Sequence, residues 1–259
     1  MVPTPSPPHA ETPGRRSDTE PGTARAVALS VVMPAYNEKG AIEEAVNEVR
    51  HAVLDAVPGS ELVVVDDGSR DGTGAILDRL AAEEPRLQVV HQANGGHGAA
   101  LRAGLDRARG DWLFLIDSDR QIPISAFDDL WQAARGRDGA FGVRAVRHDP
   151  GIRLALTALV RRAVAILFGA AIRDANIPFK VIRRSVWLQA RDLIPEGTLA
   201  PSLFLAIFAR TRGFDVAERV VPHLERRTGV VSIRRVKLLK FCAKGFRQLL
   251  AFRRRLRAS

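Results

Sequence analysis

A single cysteine, Cys242, leaves the chain without an internal disulfide framework and fits a reducing compartment. Long hydrophobic runs are also missing. The most apolar segment, Leu154 to Ile172, is broken by Arg161 and Arg162, and the remaining Ala163 to Ile172 is too short to span a bilayer as a helix. Met1 to Gly22 is rich in Pro, Thr and Ser and lacks the apolar core of a signal peptide, so residues 1–24 read as a disordered leader. Acidic residues stop at Glu225. Of 39 Lys and Arg, twelve lie from Arg226 onward, so the remaining 27 face all 29 Asp and Glu and the body carries about −2 of the net +10. The positive charge therefore belongs to the tail. A near-neutral body without a nucleic-acid fold motif argues against nucleic acid as a partner. There is no Gly-x-Gly-x-x-Gly after the first expected strand, which excludes a dinucleotide fold, and no phosphate loop ending in Gly-Lys-Ser/Thr.

What is present is a regular alternation. Ala26 to Met33 reads as a buried strand closed by Pro34, and Ala41 to Leu54 as a helix with Ile42, Val46, Val49 and Val53 on one face. Glu61 to Val65 is a second strand, followed by a helix capped by Asp71 or Thr73. Leu87 to His91 is a third strand, and Asn94-Gly95-Gly96-His97-Gly98 turns into a helix over Ala99 to Arg109. Trp112 to Ile116 is a fourth strand, and Gly213 to Pro222 reads as an edge strand. Strand and helix alternating through short connections predict an α/β fold with a doubly wound, mostly parallel sheet.

In such a sheet, ligands bind outside the carboxyl ends of the strands. Asp117 and Asp119 follow the fourth strand at D-x-D spacing, which suits a hard cation bridging phosphate oxygens. Asp66 and Asp67 end a strand expected to lie beside it, placed to accept hydrogen bonds from a base or a ribose hydroxyl. Arg144, Arg147 and Arg153 follow the acidic pair. Asp174 is placed either to orient an arginine or to cap a turn, and His223 reads as a structural strand-end residue.

The stretches SVVMPAYNE, VVVDDGSRDGT, NGGHGAALRAGL, DSDRQIP, DANIPFKVIRR and HLERRTG occur in this order between Ala26 and Ser232. Together they resemble family 2 glycosyltransferases of the GT-A nucleotide-sugar-binding fold, and among these the polyprenyl-phosphate sugar synthases such as dolichyl-phosphate mannose synthase. The resemblance implies a GT-A domain over residues 25–229. It implies that Pro34, Tyr36, Glu38 and Asp66, with Asp67, hold the nucleotide part of a nucleotide-diphosphate sugar. Asp117 and Asp119 would hold Mg²⁺ or Mn²⁺ and the diphosphate, with Gln121 beside the metal or the acceptor. Asp119, Gln121, Arg144 and Arg147 would form the catalytic group, with Arg144, Arg147 and Arg153 facing the phosphate of a polyprenyl phosphate acceptor. A lipid phosphate needs no protein base, whereas a hydroxyl acceptor needs a carboxylate to take its proton. Arginines near the site are plainer than a spare carboxylate, which favours the phosphate over a hydroxyl acceptor. A catalytically silent, membrane-associated binding protein of the same fold is the third reading. Direct attack on an α-linked donor implies inversion. Where the family often has lysine this chain has His97, which makes any phosphate contact there pH-dependent. The family's late Arg…Gly…Ser pattern is matched here by Arg226, Gly229 and Ser232 at altered spacing.

Residues 230–259 form a basic amphipathic segment. Val236, Leu239, Cys242, Phe246, Leu249, Leu250 and Leu256 make one stripe, bordered by Lys and Arg. Such a helix either lies on an anionic membrane surface or packs on its own domain. A membrane-borne acceptor favours the first, a peripheral protein at the cytoplasmic face of the membrane.

Overall fold

The computed structural model describes residues 27–145, 151–170, 172–174, 177–224 and 235–259, the side chains of 151–157 and 235–242 excepted. Seven strands form one sheet: β1 (Leu29–Ala35), β2 (Ser60–Asp66), β3 (Leu87–His91), β4 (Trp112–Leu115), β5 (Gly139–Arg144), β6 (Lys180–Arg183) and β7 (Val216–Val221), in the order β3-β2-β1-β4-β6-β5-β7. All pairings are parallel except those of β6, which runs against both β4 and β5. Eight α-helices connect them: α1 (Ile42–Val49), α2 (Thr73–Glu83), α3 (His97–Arg107), α4 (Phe127–Ala134), α5 (Gly151–Phe168), α6 (Arg184–Ala190), α7 (Pro201–Thr211) and α8 (Arg235–Ala258).

Period-two alternation splits the strands between two cores. Trp112 and Phe114 face one way, into a core shared with Ile42, Leu77 and Phe127. Leu113 and Leu115 face the other, toward Leu101, Val186 and Phe204. Helices therefore cover both faces, as a parallel sheet requires.

Two expectations are corrected. Pro34 does not close the first strand, which continues to Ala35. The ladder between β1 and β4 ends at Val32, whose carbonyl accepts from the Ile116 amide, so the missing N–H of Pro34 falls beyond it. Asp66 and Asp67 do not end a strand beside β4, because β1 lies between β2 and β4. The order reverses at β1, so the carboxyl ends of β1 and β4 form the switch point outside which ligands bind in such sheets.

The helix read as a separate tail is, in its second half, core. Leu249, Phe252 and Leu256 are buried, and the Phe252 ring lies 5.1 Å from Phe204 and 5.9 Å from Phe168. Gln248 braces the loop before α7, donating to the Gly197 carbonyl (3.0 Å) and accepting from the Leu199 amide (3.4 Å).

Candidate functional site beyond the end of β4

The chain leaving β4 delivers Asp117 and Asp119 to a cavity of about 60 Å³. Gln121, Arg144 and His223 share its lining, and Ile177, Pro178 and Phe179 form an apolar wall. Four of the sequence-predicted residues thus meet in one place.

Each is held from behind. Asp117 Oδ1 pairs with His97 Nε2 at 2.9 Å. Desolvation opposes a charge on His97, but the hydrogen bond to Asp117 and the fields of Asp117, Asp119 and Asp67 outweigh it and raise the imidazole pKa. Asp119 Oδ1 accepts from the Gln121 amide at 3.1 Å. The Gln121 carbonyl accepts from the Leu224 amide at 2.8 Å, and this tie seats His223 against the cavity. Arg144 makes a two-pronged pair with Asp174 (2.7 and 2.8 Å), whose carboxylate is buried. Of the two roles open for Asp174, orienting an arginine is the one observed.

Arg120, between Asp119 and Gln121, adopts φ 56° in the left-handed region. Its guanidinium pairs with Glu44 and Glu48, one turn apart on α1, and Nε reaches Glu48 Oε2 at 3.0 Å. The acidic loop is thereby strapped to α1 in a conformation that costs an L-residue about 1 kcal/mol. Arg120→Gly, which relieves that strain, is expected to be more stable than Arg120→Ala by about 1 kcal/mol. Equal denaturation midpoints for the two variants would contradict the backbone strain at this position.

The loop after β1 is laced to the loop after β2. Asn37, also left-handed at φ 53°, accepts from the Arg70 amide at 2.8 Å. The Glu38 amide donates to Thr73 Oγ1 at 2.9 Å, and the Lys39 amide to Asp71 at 3.0 Å. Neither Asp71 nor Thr73 is the cap residue of α2, which is Gly72; Asp71, one residue ahead, accepts from the Thr73 amide and hydroxyl. Tyr36, just beyond β1, stands half exposed.

Asp66 accepts from the Ser69 amide and pairs with His91, both at 3.0 Å. Desolvation alone would raise its pKa, but these hydrogen bonds outweigh it and hold the carboxylate below its ordinary value. Asp67 is tied to its own chain. Its two oxygens accept from Gln92 Nε2 (2.7 Å) and from the Gly95 and Gly96 amides (both 2.8 Å), fixing the turn into α3. The next glycine, Gly98, lies so near the Thr198 carbonyl that a Cβ would collide with it. Pro34, Tyr36, Glu38 and Asp66 lie at or just after the carboxyl ends of the paired strands β1 and β2 and do not line the cavity. Arg147 lies outside the described residues, and Arg153 falls in the first turn of α5, where only the backbone is described.

Two residues escaped sequence reasoning. His223 follows the edge strand β7, and the Gln121–Leu224 tie holds the chain beside it at the cavity. Lys180 is fully buried behind the cavity wall, with Nζ donating to the Ile177 carbonyl and to Ser202 Oγ (2.8 Å) and lying 5.4 Å from the Phe141 ring centre. Burial pushes its pKa down to about 7, against the pull of Asp174 and with the push of Arg144. A lysine with a lowered folded pKa penalises folding below that pKa and loses the penalty as pH rises to its unfolded value near 10.4. Stability is therefore expected to climb between pH 7 and about 10, by up to about 1.4 kcal/mol per unit. Lys180→Met should flatten that slope; urea midpoints with the same slope in both proteins would refute the assignment.

Residues 30–190 match the sequence model of glycosyl transferase family 2. The chain belongs to that family. It is 33% identical over 217 residues to undecaprenyl-phosphate 4-deoxy-4-formamido-L-arabinose transferase of Pseudomonas aeruginosa, covering 82% of this chain and 62% of the relative. It is 31% identical over 216 residues to glycosyltransferase AglD of Haloferax volcanii, covering 79% of this chain and 35% of the relative. The chain thus spans about six tenths, or less, of the curated relatives it matches. The fold is that of glucosyl-3-phosphoglycerate synthase from Mycobacterium tuberculosis, solved with Mn²⁺, uridine diphosphate and phosphoglyceric acid (TM-score 0.64, 23% identity, 87% of this chain and 78% of that one). TarS of S. aureus, residues 1–349, shares it with a TM-score of 0.52 and 22% identity, over 77% of this chain and 58% of that one. These are GT-A glycosyltransferases, and the seven-stranded sheet of this family 2 chain is the GT-A sheet.

Proposed function

We propose that this chain is a metal-dependent inverting glycosyltransferase that moves a sugar from a nucleotide-diphosphate sugar to a polyprenyl phosphate at a membrane surface. The observation that carries the reading is the convergence of Asp117, Asp119, Gln121 and Arg144 on one cavity. Support for the acceptor comes from the curated relative whose name specifies undecaprenyl phosphate. Support for the donor comes from the nucleotide diphosphate bound in a fold neighbour.

Among the described residues no three His, Cys, Asp or Glu side chains form a ready-made metal cage. The donor set nonetheless fits Mg²⁺ or Mn²⁺, because such ions are held by one or two carboxylates together with substrate phosphates. Asp117 and Asp119 would supply those carboxylates, with Gln121 beside them. When bound, the ion neutralises charge on the departing diphosphate. The remaining steps fall to the chain. Pro34, Tyr36, Glu38 and Asp66 hold base and ribose on the β1–β2 side. His97 keeps Asp117 in place. Arg144, fixed by Asp174, meets the acceptor phosphate, whose ionised oxygen forms the new bond to the anomeric carbon as the bond to the diphosphate oxygen breaks. No proton has to be removed from that acceptor.

The test mixes purified protein and Mg²⁺ or Mn²⁺ with labelled nucleotide sugars and compares polyprenyl phosphate with polyprenol. Transfer to the phosphate alone is expected. Transfer only to the hydroxyl replaces the acceptor, and neither transfer nor donor hydrolysis leaves a binding protein.

A further inference from the structure

Helices α5 and α8 meet through Phe168 and Phe252, and between them they contain no acidic residue. Helix α5 carries three arginines and α8 nine Lys and Arg. Side chains pointing away from the core are partly apolar. Leu159 (63% exposed) and Ile166 (74%) stand two turns apart on the same face of α5, with exposed Arg162 between them at i+3 and i−4 and exposed Arg161 on the flank of the helix. On α8, Phe246 is 49% exposed between exposed Lys244 and Arg247. Isolated exposed leucines are ordinary. Large apolar side chains set among cations, on two packed helices with no anion, are not.

We propose that the outward face of α5, with Phe246 and its neighbours on α8, docks on an anionic lipid surface. Charge complementarity selects this occupant. A second copy would oppose cations to cations, and a nucleic-acid backbone would leave Leu159, Ile166 and Phe246 without a partner. Lipid accepts both, with head groups taking the arginines and the acyl boundary the apolar tips. In sequence, α5 follows the strand that ends at the cavity residue Arg144, and α8 follows His223 and Leu224. The buried second half of α8 is the root that fixes this face to the fold. The proposal deepens the polyprenyl-phosphate reading and rests on it for its purpose, while the docking itself is measured without donor or acceptor.

The experiment sediments the full chain with vesicles of phosphatidylcholine alone or mixed with phosphatidylglycerol. Binding to the mixed vesicles is expected to be tighter and to weaken with salt. R161Q/R162Q should weaken it about fivefold for each charge removed. L159S/I166S should weaken it at every salt concentration, with the circular dichroism melt unchanged. Equal binding to both vesicles, or variants that bind like the parent, overturns the proposal. So does a dimer that L159S/I166S converts to monomer without vesicle binding, or capture of duplex DNA in preference to vesicles. Calorimetry with a panel of nucleotide-diphosphate sugars differing in base on the same preparation separates the two readings: vesicle binding without binding of any of them sinks the proposed function and leaves the docking face standing.

Discussion

Asp119→Ala is expected to yield a folded protein whose turnover has fallen by a factor on the order of 10²–10³. The carboxylate sits on a loop beyond the end of β4, outside both apolar cores, so its removal creates no core cavity. What it removes is negative charge in the cavity that also holds Asp117, Gln121 and Arg144. Because Asp119 also accepts from the Gln121 amide, the alanine variant changes two things at once. Asp119→Asn separates them, since it keeps an acceptor for that amide and loses the charge. If charge is what matters, both variants lose activity alike and both need more Mn²⁺ to reach half their maximal rate. Initial rates measured across a Mn²⁺ titration decide the matter. Near-parental turnover in a folded variant with unchanged metal dependence removes Asp119 from the site.

How far this was legible in the sequence follows from what each signal encodes. An apolar run ending in Asp117 and Asp119 marks a strand tip, because burial on both faces and carboxylates beyond the end are local properties. Strand neighbours are not local. Nothing in VVVDDG says that β1 separates β2 from β4, so Asp66 and Asp67 were placed too near the acidic pair. Nor does a four-residue strand such as Lys180–Arg183 encode its direction, and β6 reverses the sheet between β4 and β5. His223 was missed for the same reason, since its position depends on where the edge strand β7 returns the chain. The left-handed backbone of Arg120 has no signature, because arginine is not a residue that prefers it. Asp67 shows the opposite case: its residue type suited a ligand, and three donors of its own chain take its oxygens. An amphipathic stripe says only that something covers it. In α8 the cover differs along one helix, with Phe246 half exposed and Phe252 buried, and the stripe read from sequence omitted Phe252.

That division of α8 gives the second large effect. A chain ending at residue 235 is expected not to fold cooperatively. It lacks Leu249, Phe252 and Leu256, all buried against α5 and α7. Burying such side chains contributes about 1.5–3 kcal/mol each, so three supply roughly 5–9 kcal/mol. Domains of this size hold only about 5–15 kcal/mol in total. Truncation also uncovers Phe168 and Phe204, and it removes Gln248, which fixes the loop whose Thr198 carbonyl rests on the first turn of α3 beside His97. Nucleotide binding should therefore fail along with the fold. Phe252→Ala isolates the packing: the ring is fully buried between two others, and its loss should cost about 3–5 kcal/mol. Phe246→Ala, on the exposed half of the helix, should shift the urea midpoint by less than about 0.5 kcal/mol equivalent. A truncated chain that unfolds at the parental midpoint, or equal effects of the two phenylalanine variants, would show that α8 is an appendage along its whole length.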